Sequence, residues 1–113
     1  VDMMESTDGN TVVFSDRGQL LCYNAVTNGL TVIFSFYDKD NADCRTLYDH
    51  HGIKILDVDE GGNVKFAVYG YMNRGRHEGE TGIQILSYDN SLNTIEEEVY
   101  IPYSKSYAVL KDR

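Results

Sequence analysis

The sequence predicts an all-β (mainly) fold, an antiparallel meander of about seven short strands with a short C-terminal helix. Three observations carry this reading. Apolar and polar residues alternate with a period near two over most of the chain, the spacing of strands with one face buried. Nine Tyr and four Phe among 113 residues suit pleated surfaces, where aromatic and β-branched side chains pack well. Ten Gly against one Pro suit tight turns between strands.

The elements follow in order. "NTVVFSD" (10–16) and "QLLCYNA" (19–25) are strands joined at Arg17-Gly18. After "VTNG" (26–29), "LTVIFSFYD" (30–38) sets Leu30, Val32, Phe34 and Phe36 on one face and Thr31, Ile33, Ser35 and Tyr37 on the other. A polar segment from Lys39 to Gly52 interrupts the strands. "IKILDVD" (53–59) then enters the Glu60-Gly61-Gly62-Asn63 turn, where glycine tolerates positive φ. "VKFAVYGYM" (64–72) places Val64, Phe66, Val68, Gly70 and Met72 opposite Lys65, Ala67, Tyr69 and Tyr71. Beyond the 73–81 loop, "GIQILSYD" (82–89) and "TIEEEVYI" (94–101) complete the strands. In the last, Ile95, Val99 and Ile101 oppose Glu96, Glu98 and Tyr100, and Glu97 falls in the apolar row, where it needs an edge or a partner. After Pro102, the segment 103–113 reads as a helix capped by Ser104, with Tyr107, Ala108 and Leu110 on its apolar side.

Composition narrows the function classes. The chain is one domain's length, and 42% hydrophobic with 25% charged residues is ordinary globular usage. A net charge of −8 argues against nucleic-acid binding, which needs a basic face. The most apolar run, Leu30 to Phe36, is too short to span a membrane, and no signal-peptide pattern opens the chain. Val1 stands at the start and Arg113 falls within the expected helix, so the chain is expected to be part of a larger protein. Cys22 lies in an apolar strand pattern and Cys44 in a polar loop, with a disulfide between them left open. The compartment is open too; few Lys and many Tyr are compatible with a bacterial cell-envelope or extracellular setting and equally with a cytoplasmic one.

"LLCYNAVTNGLTVI" (20–33) and "QILSYDNSLNTIEE" (84–97) form an internal repeat. Tyr23-Asn24 aligns with Tyr88-Asp89, each between two strands and followed by a polar turn. This strand, Tyr-Asp/Asn, turn, strand unit resembles the blades of β-propellers. The resemblance implies a four-stranded blade over 53–101 and the last three strands of a partial blade over 10–38. The interval from Tyr23 to Tyr88 exceeds the roughly 40–50 residues of familiar blades, and the insertions 39–52 and 73–81 account for the excess. Propellers close with about four to eight blades. The resemblance therefore implies that this module meets the rest of a larger chain, a protein partner, or a second copy pairing at the sheet edges.

Candidate site residues lie on the second half. Arg74, Arg76 and His77 sit in the long 73–81 loop, where two guanidinium groups can fork a carboxylate or phosphate. The competing reading pairs them with Glu78, Glu80 or other acids. Tyr69, Tyr71 and Tyr100, expected on exposed sheet surface, suit contact with a protein partner or stacking against a small ligand or carbohydrate. Asp49, His50, His51 and His77 lack metal-ligand spacing. Asp38, Asp40, Asn41 and Asp43 depart from the EF-hand pattern at its Gly and Glu positions. Glu96, Glu97 and Glu98 read as an edge-protecting charge row. No nucleophile elbow, phosphate loop or dinucleotide fingerprint occurs. The sequence thus assigns no catalytic residue, metal or cofactor and reads as a non-catalytic interaction, structural or sensor module.

Overall fold

A computed structural model describes residues 2–35, 52–72 and 76–103. The strands are β1 (Met3–Glu5), β2 (Thr11–Asp16), β3 (Gln19–Asn24), β4 (Gly29–Ser35), β5 (Gly52–Val58), β6 (Val64–Tyr71), β7 (Thr81–Asp89) and β8 (Thr94–Pro102). They form two four-stranded antiparallel meanders, β1-β2-β3-β4 and β5-β6-β7-β8. The seven expected strands are present. The first sheet also has a fourth, β1, so what was expected as a partial blade is a complete meander. Three residues are too few to show a period, which hides β1 in the sequence. The described residues contain no helix, and the helix expected over 103–113 lies, beyond Tyr103, outside them.

The sheets share one core. Val13, Leu20, Ile33 and Phe34 of the first pack with Ile55, Val64, Phe66, Val68 and Leu86 of the second. Phe34 and Phe66 meet with ring centroids 5.4 Å apart at 58°, a tilted arrangement that aromatic pairs favour. Polar ties cross the junction as well: the Ile55 amide donates to Asp2 Oδ2 at 2.7 Å, and Thr7 Oγ1 donates to Glu60 Oε1 at 2.7 Å.

Three β-bulges correct the face assignments read from strict alternation. In β4, Leu20 pairs with Phe34 but Leu21 pairs with Val32, leaving Ile33 as the extra residue. Leu30 and Val32 consequently face outward while Phe34 turns inward, instead of sharing one face. In β5 the extra residue is Leu56, which keeps Asp57 exposed and brings Val58 into the core. In β8 it is Glu98, and the phase change returns Tyr100 to the face of Glu97 and Ile95. All three lie in edge strands, where bulges disrupt the ladder and discourage pairing with another chain. β6 keeps the expected alternation, with Val64, Phe66, Val68 and Met72 buried and Lys65, Tyr69 and Tyr71 exposed, although Ala67 in the outer row is also buried.

The internal repeat is structural. Tyr23 Oη donates to Asn28 Oδ1 and Tyr88 Oη to Asn93 Oδ1, each five residues on. Asn24 Oδ1 accepts from the amides of Val26 and Thr27; Asp89 Oδ1 accepts from Ser91 and Leu92. Asn28 and Asn93 both adopt positive φ, 57° and 52°, which Asn tolerates better than most residues. Even the bulges of β4 and β8 fall at the same step of the alignment, Ile33 against Glu98.

Candidate functional site

The structure separates the sequence-expected site residues into two places. Tyr69 and Tyr71 project from the outer face of the second sheet, beside Ile83, Ile85, Val99 and Ile101 by register. Tyr69, Tyr71 and Val99 keep 46%, 41% and 46% exposure, so nothing described covers this apolar stripe. Tyr100, expected on the same surface, lies on the opposite face, because the Glu98 bulge turns it to pair with buried Gln84. Arg74 lies outside the described residues, as do Asp38, Asp40, Asn41, Asp43, Asp49, His50 and His51.

Tyr100 belongs to a second cluster built by the returning end of the 73–81 loop. The Met72 amide donates to the Glu80 carbonyl at 2.7 Å and Gly79 donates back to Met72 at 2.8 Å, extending the β6-β7 ladder and aiming His77 at the sheet. Its ring stacks on Tyr100, centroids 3.6 Å apart at 9°. His77 Nε2 stands 2.6 Å from Glu97 Oε1, a carboxylate oxygen that can only accept. Gln84 Nε2 donates to the same oxygen at 2.8 Å, and Arg76 reaches Glu97 Oε2 at 3.5 Å. His77 Nδ1 lies 3.7 Å from Glu80. Glu97 and His77 expose only 13% and 18% of their side chains, so their mutual contact and the Gln84 bond lie largely out of solvent, whereas Arg76 and Glu80 reach in from exposed positions. Glu97 thus has the partner its place in an apolar row demanded, and Arg76 pairs with an acid as the competing reading held.

Sequence reasoning missed Gln84, which is fully buried. The available signal is its phase: it alternates with Leu86 and Tyr88, so it had to point inward. Chemically the cluster is a clasp, with a carboxylate holding three donors and fastening a loop to β8. Among the described residues no group of three or more His, Cys, Asp or Glu could hold a metal ion, and no helix is long and apolar enough to cross a membrane. Cys22 carries a free thiol whose pKa burial pushes up, which disfavours the reactive thiolate.

A third feature is an open groove of about 610 Å³ at the junction of the sheets, lined by Asp2, Asp16, Arg17, Lys54 and Tyr69 among others. The Tyr69 ring lies across Gly52, where an added Cβ would collide with it. No family model, curated protein or solved structure matches the chain.

Proposed function

We propose that the chain is a non-catalytic protein-interaction or structural module of a larger protein, its sheets being successive blades of a propeller-like stack. The observation that carries this reading is the pair of open outer faces. Met3, Leu30 and Val32 expose 68%, 61% and 50% on one side, and the Tyr71–Val99 stripe is exposed on the other. Contiguous apolar surface on a folded module marks an interaction site. The His77–Glu97 clasp supports the non-catalytic part, since its groups are engaged with one another and with Gln84 and Arg76.

The test separates surface from core. Val32→Ala and Tyr71→Ala should each change unfolding stability by less than about 1 kcal/mol, measured by denaturant melts. A loss of several kcal/mol at both would make these faces part of the module's own core and remove the basis of the reading. Small-ligand or carbohydrate binding is a second reading, favoured by Tyr69 beside Arg17 and Lys54 in the junction groove. It requires tyrosine fluorescence to respond in a screen of sugars and anions, and the response to vanish in Tyr69→Ala.

A further inference from the structure

The repeat shows which faces of the two sheets are equivalent. Superposing Tyr23 on Tyr88 aligns the register pairs Val12–Tyr23 with Val64–Tyr88 and Phe14–Leu21 with Phe66–Leu86. Leu30, across from Tyr23, likewise aligns with Ile95, across from Tyr88. The two faces match almost residue for residue: Val12, Phe14, Leu21 and Tyr23 against Val64, Phe66, Leu86 and Tyr88. In the second sheet this face is buried against the first sheet, with all four residues in the core. In the first sheet the same face points away from the second, and no described element covers it.

The converse holds for the other face. Leu20 and Phe34 of the first sheet are buried in the junction. Their equivalents in the second sheet, Ile85 and Val99, lie on its open outer face. The sheets therefore stack head to tail, with unlike faces in contact. A head-to-tail contact leaves one unused copy of each face, and repetition of it builds a ring or an open stack.

We infer that the outer face of the first sheet docks the outer face of the second sheet of another copy of this chain, repeating between molecules the contact made within one. The first face carries Glu5 and Asp16 at the margins of its apolar residues, and the second offers Lys54 and Lys65, the latter already paired with Glu98 at 3.2 Å, beside Asp57 and Glu96. Edge-to-edge pairing fits less well, since β1 is three residues long and β4, β5 and β8 are bulged. This inference rests on the module reading above and names its partner.

The test uses two blocked variants, Val32→Lys on one face and Val99→Lys on the other, with circular dichroism confirming that each is folded. Light scattering after size exclusion should give a wild-type mass that rises with concentration to at least twice that of one chain. Each variant alone should fall to the mass of a single chain. An equimolar mixture should form a dimer and stop there, because one unblocked face of each kind remains. A folded wild type that stays monomeric at every concentration overturns the proposal and leaves the module reading standing. Association that survives in either variant alone, or a mixture of folded variants that stays monomeric, also overturns it. Failure of the module reading looks different, because outer-face substitutions would then unfold the chain.

Discussion

Gly82 and Gly52 look alike in sequence but carry different constraints. A Cβ at Gly82 would stand 2.6 Å from the Ile101 carbonyl oxygen and equally close to Tyr100 Oη. The carbonyl is backbone in the β7-β8 ladder and cannot give way without parting the strands. A Cβ at Gly52 would meet the Tyr69 ring first, which is half exposed and can swing outward. Gly82→Ala should therefore cost roughly 1–3 kcal/mol and Gly52→Ala well under 1 kcal/mol; urea melts of both variants check the order. Glu97 gives a second contrast. Glu97→Leu removes an acceptor of Gln84, a fully buried amide, and losing a buried hydrogen bond to a charged group costs about 1–3 kcal/mol. Adding Gln84→Leu removes the donor too and should recover part of the loss, a coupling that a double-mutant cycle measures directly. Additive losses would mean that the Gln84–Glu97 bond contributes nothing to the clasp.

At the scale of elements, the repeat supplies its own control for pH. Asp89 and Asn24 do the same work in equivalent hairpins, but only Asp89 titrates. Ser91 Oγ and the amides of Leu92 and Ser91 hold its carboxyl below the ordinary value of 3.8. With the folded value depressed, the unfolded chain takes up the proton first. The bonds of Asp89 therefore stabilise the turn fully above pH 3.8 and are lost as pH falls through the lower folded value. Asp59 behaves alike, held low by the Asn63 side chain and amide. Amide resonances of Ser91 and Leu92 should titrate with a midpoint below 3.8 while those of Val26 and Thr27 stay still, and Asp89→Asn should abolish the difference. These turns were legible in the sequence, because Asp, Asn and Gly at fixed offsets write their own hydrogen bonds. The bulges were not. An extra residue such as Ile33, Leu56 or Glu98 has no composition of its own, yet it reverses every side chain beyond it. That reversal is why strict alternation sets Tyr100 beside Tyr69 and Tyr71 and hides its stacking on His77. Glu97, out of phase in an apolar row, did announce that it needed a partner, although alternation alone could not name Gln84.

At the scale of the molecule, the open question is whether two sheets with separate hydrogen-bond ladders fold as one unit. The ladders are separate, since among the described residues no strand of one sheet pairs with a strand of the other. What joins them is side-chain packing centred on Phe66, which is fully buried and touches Phe34 across the junction. The Asp2–Ile55 and Thr7–Glu60 bonds lie at the same junction. If that packing is the main source of stability for both sheets, Phe66→Ala should cost about 3–5 kcal/mol, a large part of what a domain of this size possesses. The loss should appear equally in both sheets, because neither retains a buried face without the other. Hydrogen exchange reads this directly: amide protection in β3 should fall by the same factor as in β7, and thermal unfolding should remain a single transition. Leu92→Ala, at a turn residue 70% exposed, should leave both sheets unchanged. Wild-type protection persisting in β3 while β7 opens would show that the first sheet stands alone. The junction would then be a docking contact between independent units rather than the core of one.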